Sequence, residues 1–160
     1  MRRRAEYHGA VPYFICPNCR DRSLDADGVE GLSHQAVGCR RCGFGFLFAL
    51  LDDYYPHPDA GLVACDRKGR ILAAGRGTFE LTGYREVDLI GRDVREAFKL
   101  HGFPEDADPI AVALEWGVRQ LDRPGLIHHA ADLDKRVTCD VFPALDEDGG
   151  LLVALASRPA

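Results

Sequence analysis

The chain has 160 residues, 46% apolar and 28% charged, which is enough for one ordinary domain plus a small module. Its formal net charge of −5 argues against a generic nucleic-acid-binding surface, which needs dense basic charge. The longest apolar stretch, Phe44-Gly-Phe-Leu-Phe-Ala-Leu-Leu51, falls far short of the roughly 20 residues a membrane-spanning helix needs, so no membrane association is expected.

In chain order, Met1-Arg-Arg-Arg-Ala-Glu-Tyr-His8 has a basic start with no apolar run behind it, unlike a secretory signal, so a reducing, cytoplasmic location is expected. Two Cys-x-x-Cys pairs follow, Cys16-Pro-Asn-Cys19 and Cys39-Arg-Arg-Cys42, with nineteen residues between them. That spacing suits a tetrahedral zinc site. Each pair makes a tight turn presenting two sulfurs, and the intervening residues form a loop or hairpin that brings the turns together. The reducing compartment disfavours disulfides, and the absence of a thioredoxin-like βαβ pattern disfavours thiol redox catalysis. Four thiolates also suit iron of rubredoxin type, so the sequence leaves zinc and iron open.

Gly43 follows the second pair, as is usual for a ribbon knuckle, whereas Arg20 after the first pair departs from that pattern. His34 would replace a thiolate only if one of the four failed. Four protein ligands leave no open coordination position, so the metal is expected to be structural, folding a segment of about 50 residues too small to bury an adequate core by itself. Loss of a thiolate is then expected to unfold the ribbon and spare much of the rest.

Residues 1–50 carry seven Lys/Arg against five Asp/Glu, and residues 51–160 carry thirteen against twenty. A zinc ion with four thiolates adds about −2 relative to neutral cysteines, which cancels the ribbon's positive excess. Arg40 and Arg41, with Arg2, Arg3 and Arg4, remain candidates for a local patch contacting a partner or nucleic acid. The simpler expectation is a solvated tail and knuckle arginines that offset thiolate charge.

Leu51-Asp-Asp-Tyr-Tyr-Pro-His-Pro-Asp59 breaks both periodicities and marks a boundary, giving a tail and ribbon over 1–50, a linker over 51–58 and a second unit over 59–160. Beyond it, residues 61–66 and 71–74 read as hairpin strands around a turn at 67–70. Residues 78–81, 85–90 and 93–100 read as short helices, and 108–121 as a longer one. After a turn at Pro124-Gly125, strands are predicted over 126–131, 136–145 and 151–157, the last two joined by Asp146-Glu-Asp-Gly-Gly150.

This order resembles a PAS domain over residues 59–158. Cys65-Asp-Arg-Lys-Gly-Arg-Ile-Leu72 is similar to that family's opening hairpin, Phe79-Glu-Leu-Thr-Gly-Tyr-Arg-Glu-Val-Asp-Leu-Ile-Gly-Arg92 to its helical signature, and Asp146-Glu-Asp-Gly-Gly-Leu-Leu-Val153 to its last turn and strand. The resemblance implies an α+β chain: a small zinc ribbon followed by a PAS-like antiparallel five-stranded sheet with short helices. The chain departs from the family where Gly75-Arg76-Gly77 stands in place of the frequent Asn-Pro. In the flavin-binding LOV subgroup a reactive cysteine follows Gly-Arg-Asn, and the matching residue here is Val94, which forms no thiol adduct. Noncovalent flavin remains open.

Haem ligation by His101, His128 or His129 is a weak alternative, since residues 108–121 contain no histidine; strand alternation sends His128 and His129 to opposite faces, one toward the core. Trp116, Phe98, Phe103 and Phe142 are expected in the core, and Cys65 and Cys139 as small buried residues. Cys139-Asp140 near the two histidines lacks a defined catalytic constellation, so the chain is expected not to be an enzyme. The sequence also shows no kinase, cyclase or helix-turn-helix output segment. The resulting expectation is a bacterial regulatory protein acting through protein interaction, with structural zinc on Cys16, Cys19, Cys39 and Cys42. A PAS ligand stays unidentified, an empty cavity being equally allowed, and the PAS unit is a candidate homodimer contact. The alternatives are nucleic-acid or transcription-machinery binding through the ribbon, and a haem or redox sensor.

Overall fold

A computed structural model of the chain describes residues 12–23, 39, 41–42, 48–51, 54–143 and 150–158. Two antiparallel sheets organise these residues. The smaller one comprises β1 (Pro12–Ile15), β2 (Arg22–Ser23) and β3 (Phe48–Leu51), with β1 in the middle. The larger one has the order β5-β4-β8-β7-β6, built from β4 (Gly61–Cys65), β5 (Ile71–Ala74), β6 (Gln120–His129), β7 (Leu133–Pro143) and β8 (Leu151–Ser157).

Local chemistry explains the hairpin and the helix starts. Asp66 closes the β4–β5 turn by accepting the Lys68 and Arg70 amides at 2.8 and 2.9 Å. Helices α1 (Thr78–Thr82), α2 (Glu86–Leu89), α3 (Val94–Phe98) and α4 (Pro109–Trp116) connect the hairpin to β6. Asp93 and Asp108 cap α3 and α4 by accepting the Arg95 and Ile110 amides, each at 2.9 Å. Arg95 ties the two caps together, 3.1 Å from the Asp93 carboxylate and 3.2 Å from that of Asp108. Desolvation opposes ionisation of Asp93, but its hydrogen bonds with Arg95 prevail and hold it below the usual carboxylate range.

The helices cover one face of the larger sheet, where Phe98, Ile110, Ile127, Val153 and Leu155 form the main core. The opposite, outer face carries a second cluster: Leu62, Phe142, Leu152, Ala154 and Ala156 meet Tyr54 from the segment before β4 and Ile15 from β1. The Tyr54 and Phe142 rings lie 4.3 Å apart. The smaller sheet is therefore packed onto the larger one through Ile15, which is 1% exposed.

Three expectations need correction. The long helix ends at Trp116 rather than near 121, because Gly117 takes a left-handed conformation (φ 65) and its amide closes on the Ala113 carbonyl. Strand β6 then begins at Gln120 and includes Pro124-Gly125, read from sequence as a turn. An edge strand tolerates proline, and Gly125 is needed because a Cβ there would stand 2.6 Å from the Phe103 ring. Trp116, expected in the core, is 70% exposed, since α4 buries the face of Pro109, Ile110 and Ala113 instead; Phe98 and Phe103 do enter the main core, and Phe142 the outer cluster. The predicted acidic turn at 146–149 lies outside the described residues.

Phe98 and Trp116 make a direct test of this packing. Phe98→Ala is expected to cost about 3–5 kcal/mol by leaving a core cavity, whereas Trp116→Ala, in dilute protein that does not self-associate, should stay within about 0.5 kcal/mol as a surface change. Urea unfolding of both variants checks it; equal losses would contradict the burial.

Candidate metal centre

Cys16 directly follows β1 and opens a turn closed by the Arg20 amide on the Cys16 carbonyl at 2.9 Å. The Cys19 amide donates to Cys16 Sγ at 3.5 Å within that turn. Cys39 and Cys42 bring the second pair opposite it. Cys16 Sγ lies 3.5 Å from Cys42 Sγ, Cys19 Sγ lies 3.7 Å from Cys39 Sγ, and all four sulfurs fall within 4.8 Å of one another. No disulfide joins any of the six cysteines, and a bond would require about 2.05 Å. A zinc ion with Zn–S near 2.3 Å sets the sulfurs of a regular tetrahedron ~3.8 Å apart, so the cluster fits a four-thiolate metal.

The surroundings suit that donor set. Cys16 and Cys39 are buried, while Cys19 and Cys42 are half-buried. Burial pushes the Cys16 thiol up to about 12 and raises that of Cys19 as well, so thiolates here call for a cation among them. Asn18 Nδ2 donates to Cys42 Sγ at 3.6 Å, an N–H···S contact of the kind that supports metal-bound sulfur. Among the described residues, these four cysteines are the one group of His, Cys, Asp or Glu with metal-binding geometry.

Arg41 lies beside the site, 3.5 Å from Asp21 in an ion pair with a 70% exposed side chain, which makes it a weak surface pair. Arg40, Gly43, His34 and Arg2 to Arg4 lie outside the described residues. Two site residues were missed from sequence, Asn18 and Arg20. Arg20 did carry a signal, since it departs from the glycine of a usual knuckle, and it holds the left-handed conformation (φ 64) that glycine normally supplies.

The remaining candidates separate in space. Cys65 and Cys139 are buried in the main core, and burial raises both thiols further, which removes the nucleophile reading of Cys139. Val94 is fully buried there too. Neither strand histidine points into that core. His128 faces Asp132 and Asp134 at 2.9 and 3.2 Å, and His129 accepts the Ala131 amide at 2.9 Å while lying against Gly83. His101 is exposed, with Nδ1 2.6 Å from the Lys99 carbonyl and Nε2 3.6 Å from Asp134.

On the outer face a cleft of about 280 Å³ is lined by residues that include His57, Asp122, Thr138, Asp140 and Arg158. Asp140 anchors it, accepting Tyr54 Oη at 2.8 Å and the Asp122 amide at 2.7 Å. Burial raises its carboxyl above the ordinary value even though both hydrogen bonds act the other way.

The fold of the larger unit is the PAS fold. The chain is similar to the PAS domain of a protein from Colwellia psychrerythraea, at 20% identity over 62% of this chain and 86% of that one, with a TM-score of 0.51. It is also similar to the PAS domain of nitrogen regulation protein NR(II) from Vibrio parahaemolyticus, at 12% identity over 64% and 92%, with a TM-score of 0.52. The light-state dimer of the fungal blue-light photoreceptor Vivid matches at 14% identity over 66% and 82%, with a TM-score of 0.54. No protein-family model and no curated protein matches the sequence.

Asp140 yields a pH prediction with a defined sign. Its raised carboxyl makes the folded state favour the protonated form, so that contribution is complete below the ordinary value of 3.8 and is lost as pH rises through the raised one. Asp140→Asn keeps an acceptor for the Asp122 amide and has no such titration. Its melting temperature relative to the natural chain is therefore expected to climb as pH increases above about 4. Parallel melting-temperature curves from pH 3 to 8 would contradict it.

Proposed function

We propose that this chain is a non-enzymatic regulatory protein that acts through protein interaction, with structural zinc on Cys16, Cys19, Cys39 and Cys42 and a PAS-fold unit in a sensory role. The observation that carries the reading is the pairing of a four-sulfur cluster of tetrahedral dimensions with a PAS fold whose inner face is packed with apolar side chains. Such a metal site orders structure and leaves no open position for substrate. Buried, protonated Cys65 and Cys139 offer no nucleophile. The shared fold with a nitrogen regulation protein and a photoreceptor supports a sensory role. The division into ribbon, linker and sensor unit at residues 50 and 59, and a cytoplasmic location in a bacterium, belong to the same reading; among the described residues no helix is long and apolar enough to cross a membrane.

Exposed apolar residues supply a contact surface. Trp116, Val118 and Leu121 stand within six residues of one another at the passage from α4 to β6, and Trp116 and Val118 are 70% and 53% exposed. Tryptophan anchors protein contacts far more often than its share of surface, and no packing role inside the fold accounts for these side chains. A second copy of this chain is the simplest occupant, and the Vivid structure shows a neighbour of this fold as a dimer. The nucleic-acid reading rests on Arg41 and on arginines outside the described residues, and Arg41 is already paired with Asp21.

Elemental analysis of reduced full-length protein is expected to show one zinc per chain, and Cys→Ser at any of the four positions to abolish stoichiometric binding. Iron would announce itself by colour, and metal-free reduced protein would remove the zinc reading.

Association supplies the second test. Self-association followed by light scattering should change less than about threefold between 50 and 200 mM salt, and Trp116→Ala should weaken it by about tenfold or more. Tight nucleic-acid binding that falls by about 10³ or more over the same salt range would replace this reading with the ribbon-on-nucleic-acid alternative.

A further inference from the structure

The two places where the chain departs from its motif patterns, Arg20 in the first knuckle and Gly75-Arg76-Gly77 after β5, meet in space. Arg20 holds φ 64, a strained conformation for any residue with a Cβ, and its side chain shows what the position is used for. Its guanidinium donates to the carbonyls of His57 at 3.1 Å, Pro58 and Ala60, three backbone acceptors on the segment entering β4. Asn18, two residues earlier, bridges the sites directly. Its Oδ1 accepts the Arg76 amide at 3.0 Å while its Nδ2 donates to Cys42 Sγ.

The PAS-fold side is shaped to receive this knuckle. A Cβ on Gly75 would stand 2.0 Å from the Pro17 carbonyl oxygen and 3.1 Å from Asn18 Cα, so only glycine admits the knuckle at this distance. A Cβ on Gly77 would stand 2.5 Å from the Ala60 carbonyl oxygen and 3.2 Å from Arg20 Nη2. Ile15, directly before Cys16, is buried in the outer-face cluster. The knuckle thus touches the turn into α1, the entry to β4 and the outer sheet face at once.

We propose that the metal centre is a clamp on the PAS-fold unit: a bound transition-metal ion of the zinc class fixes the first knuckle, and the knuckle fixes the turn at 75–77 and the entry to β4. Metal occupancy is then a signal that the PAS-fold unit reads, through Asn18 and Arg20. The inference rests on the reading of the four cysteines as metal ligands and adds a coupling that a purely local structural zinc lacks. A ribbon of this size loses its order without its ion. With it go the partners of the Arg76 amide and of the carbonyls at 57, 58 and 60, and the cover that Ile15 gives the sheet.

The test uses the full chain, loaded with zinc and then stripped with a chelator, with metal content measured in each sample. Amide hydrogen exchange at Arg76, and at Ala60, whose amide closes the turn on the same His57 carbonyl that the Arg20 guanidinium holds, is expected to rise by about tenfold or more on stripping. Arg20→Gly relieves the left-handed strain and deletes the guanidinium, so it should retain one zinc per chain yet show fast exchange at Ala60 with metal bound. Because coupling is reciprocal, Gly75→Ala, which touches no cysteine, should weaken zinc affinity by about tenfold in a competition assay. Stoichiometric zinc release with unchanged exchange at Arg76 and Ala60 overturns the clamp alone. Failure to load zinc overturns the metal reading and the clamp with it.

Discussion

Strand β8 carries six consecutive buried residues, 151–156, and so requires cover on both faces of the sheet at once. Leu151, Val153 and Leu155 face the main core, while Leu152, Ala154 and Ala156 face outward. The helices meet the first requirement. The second falls to Tyr54 and Ile15, one from the segment before β4 and one from the small sheet, which makes the small sheet part of the PAS fold's own hydrophobic burial. At ~25 cal/mol per Å² of apolar area removed from water, that cover stabilises both partners, and a small ribbon with little core gains proportionately more.

Much of the PAS-fold unit was legible because its residues obey strong local rules. Asp66, Asp93 and Asp108 occupy turn and cap positions where a carboxylate accepts backbone amides, and the elements begin where those residues say. Legibility failed between Trp116 and Leu126, where Val118 and Leu121, three apart among Arg119, Gln120, Asp122 and Arg123, continue a helical spacing past the point where the helix ends. Gly117 ended the helix early, and Pro124-Gly125 looked like a turn because edge position and the Phe103 ring are tertiary facts that no local pattern contains. The continuous apolar run of β8 did state two-sided burial, in contrast to the alternation of a half-exposed strand, but nothing in it named the element that would lie outside.

The cysteine cluster was readable for a different reason: two Cys-x-x-Cys turns that bring four sulfurs together leave a spacing that survives any loop length between them. Their supports were harder to see. Asn18 and Arg20 act on residues 58 and 40 positions away in the chain, and their partners are backbone groups with no sequence signature of their own. The visible trace was negative, an arginine where a knuckle takes glycine and a Gly-Arg-Gly where the PAS pattern has Asn-Pro. Each departure alone looks like drift. Their meeting in space gives both a physical reason, since the glycines create room and the arginine fills it with hydrogen bonds.

The free side of β6 limits how this molecule can meet another. Leu126 exchanges both backbone hydrogen bonds outward with His101, and since alternate residues point their amides to the same side, the N–H that Pro124 lacks would also have pointed outward. Asp122, at φ 55, adds an irregularity just upstream. A foreign strand arriving along this border would find one donor and one acceptor taken at Leu126, one donor missing at Pro124 and the pleat bent, so growth of the sheet by strand addition is blocked there. Recognition along this border therefore falls to side chains, which makes it selective for a complementary surface.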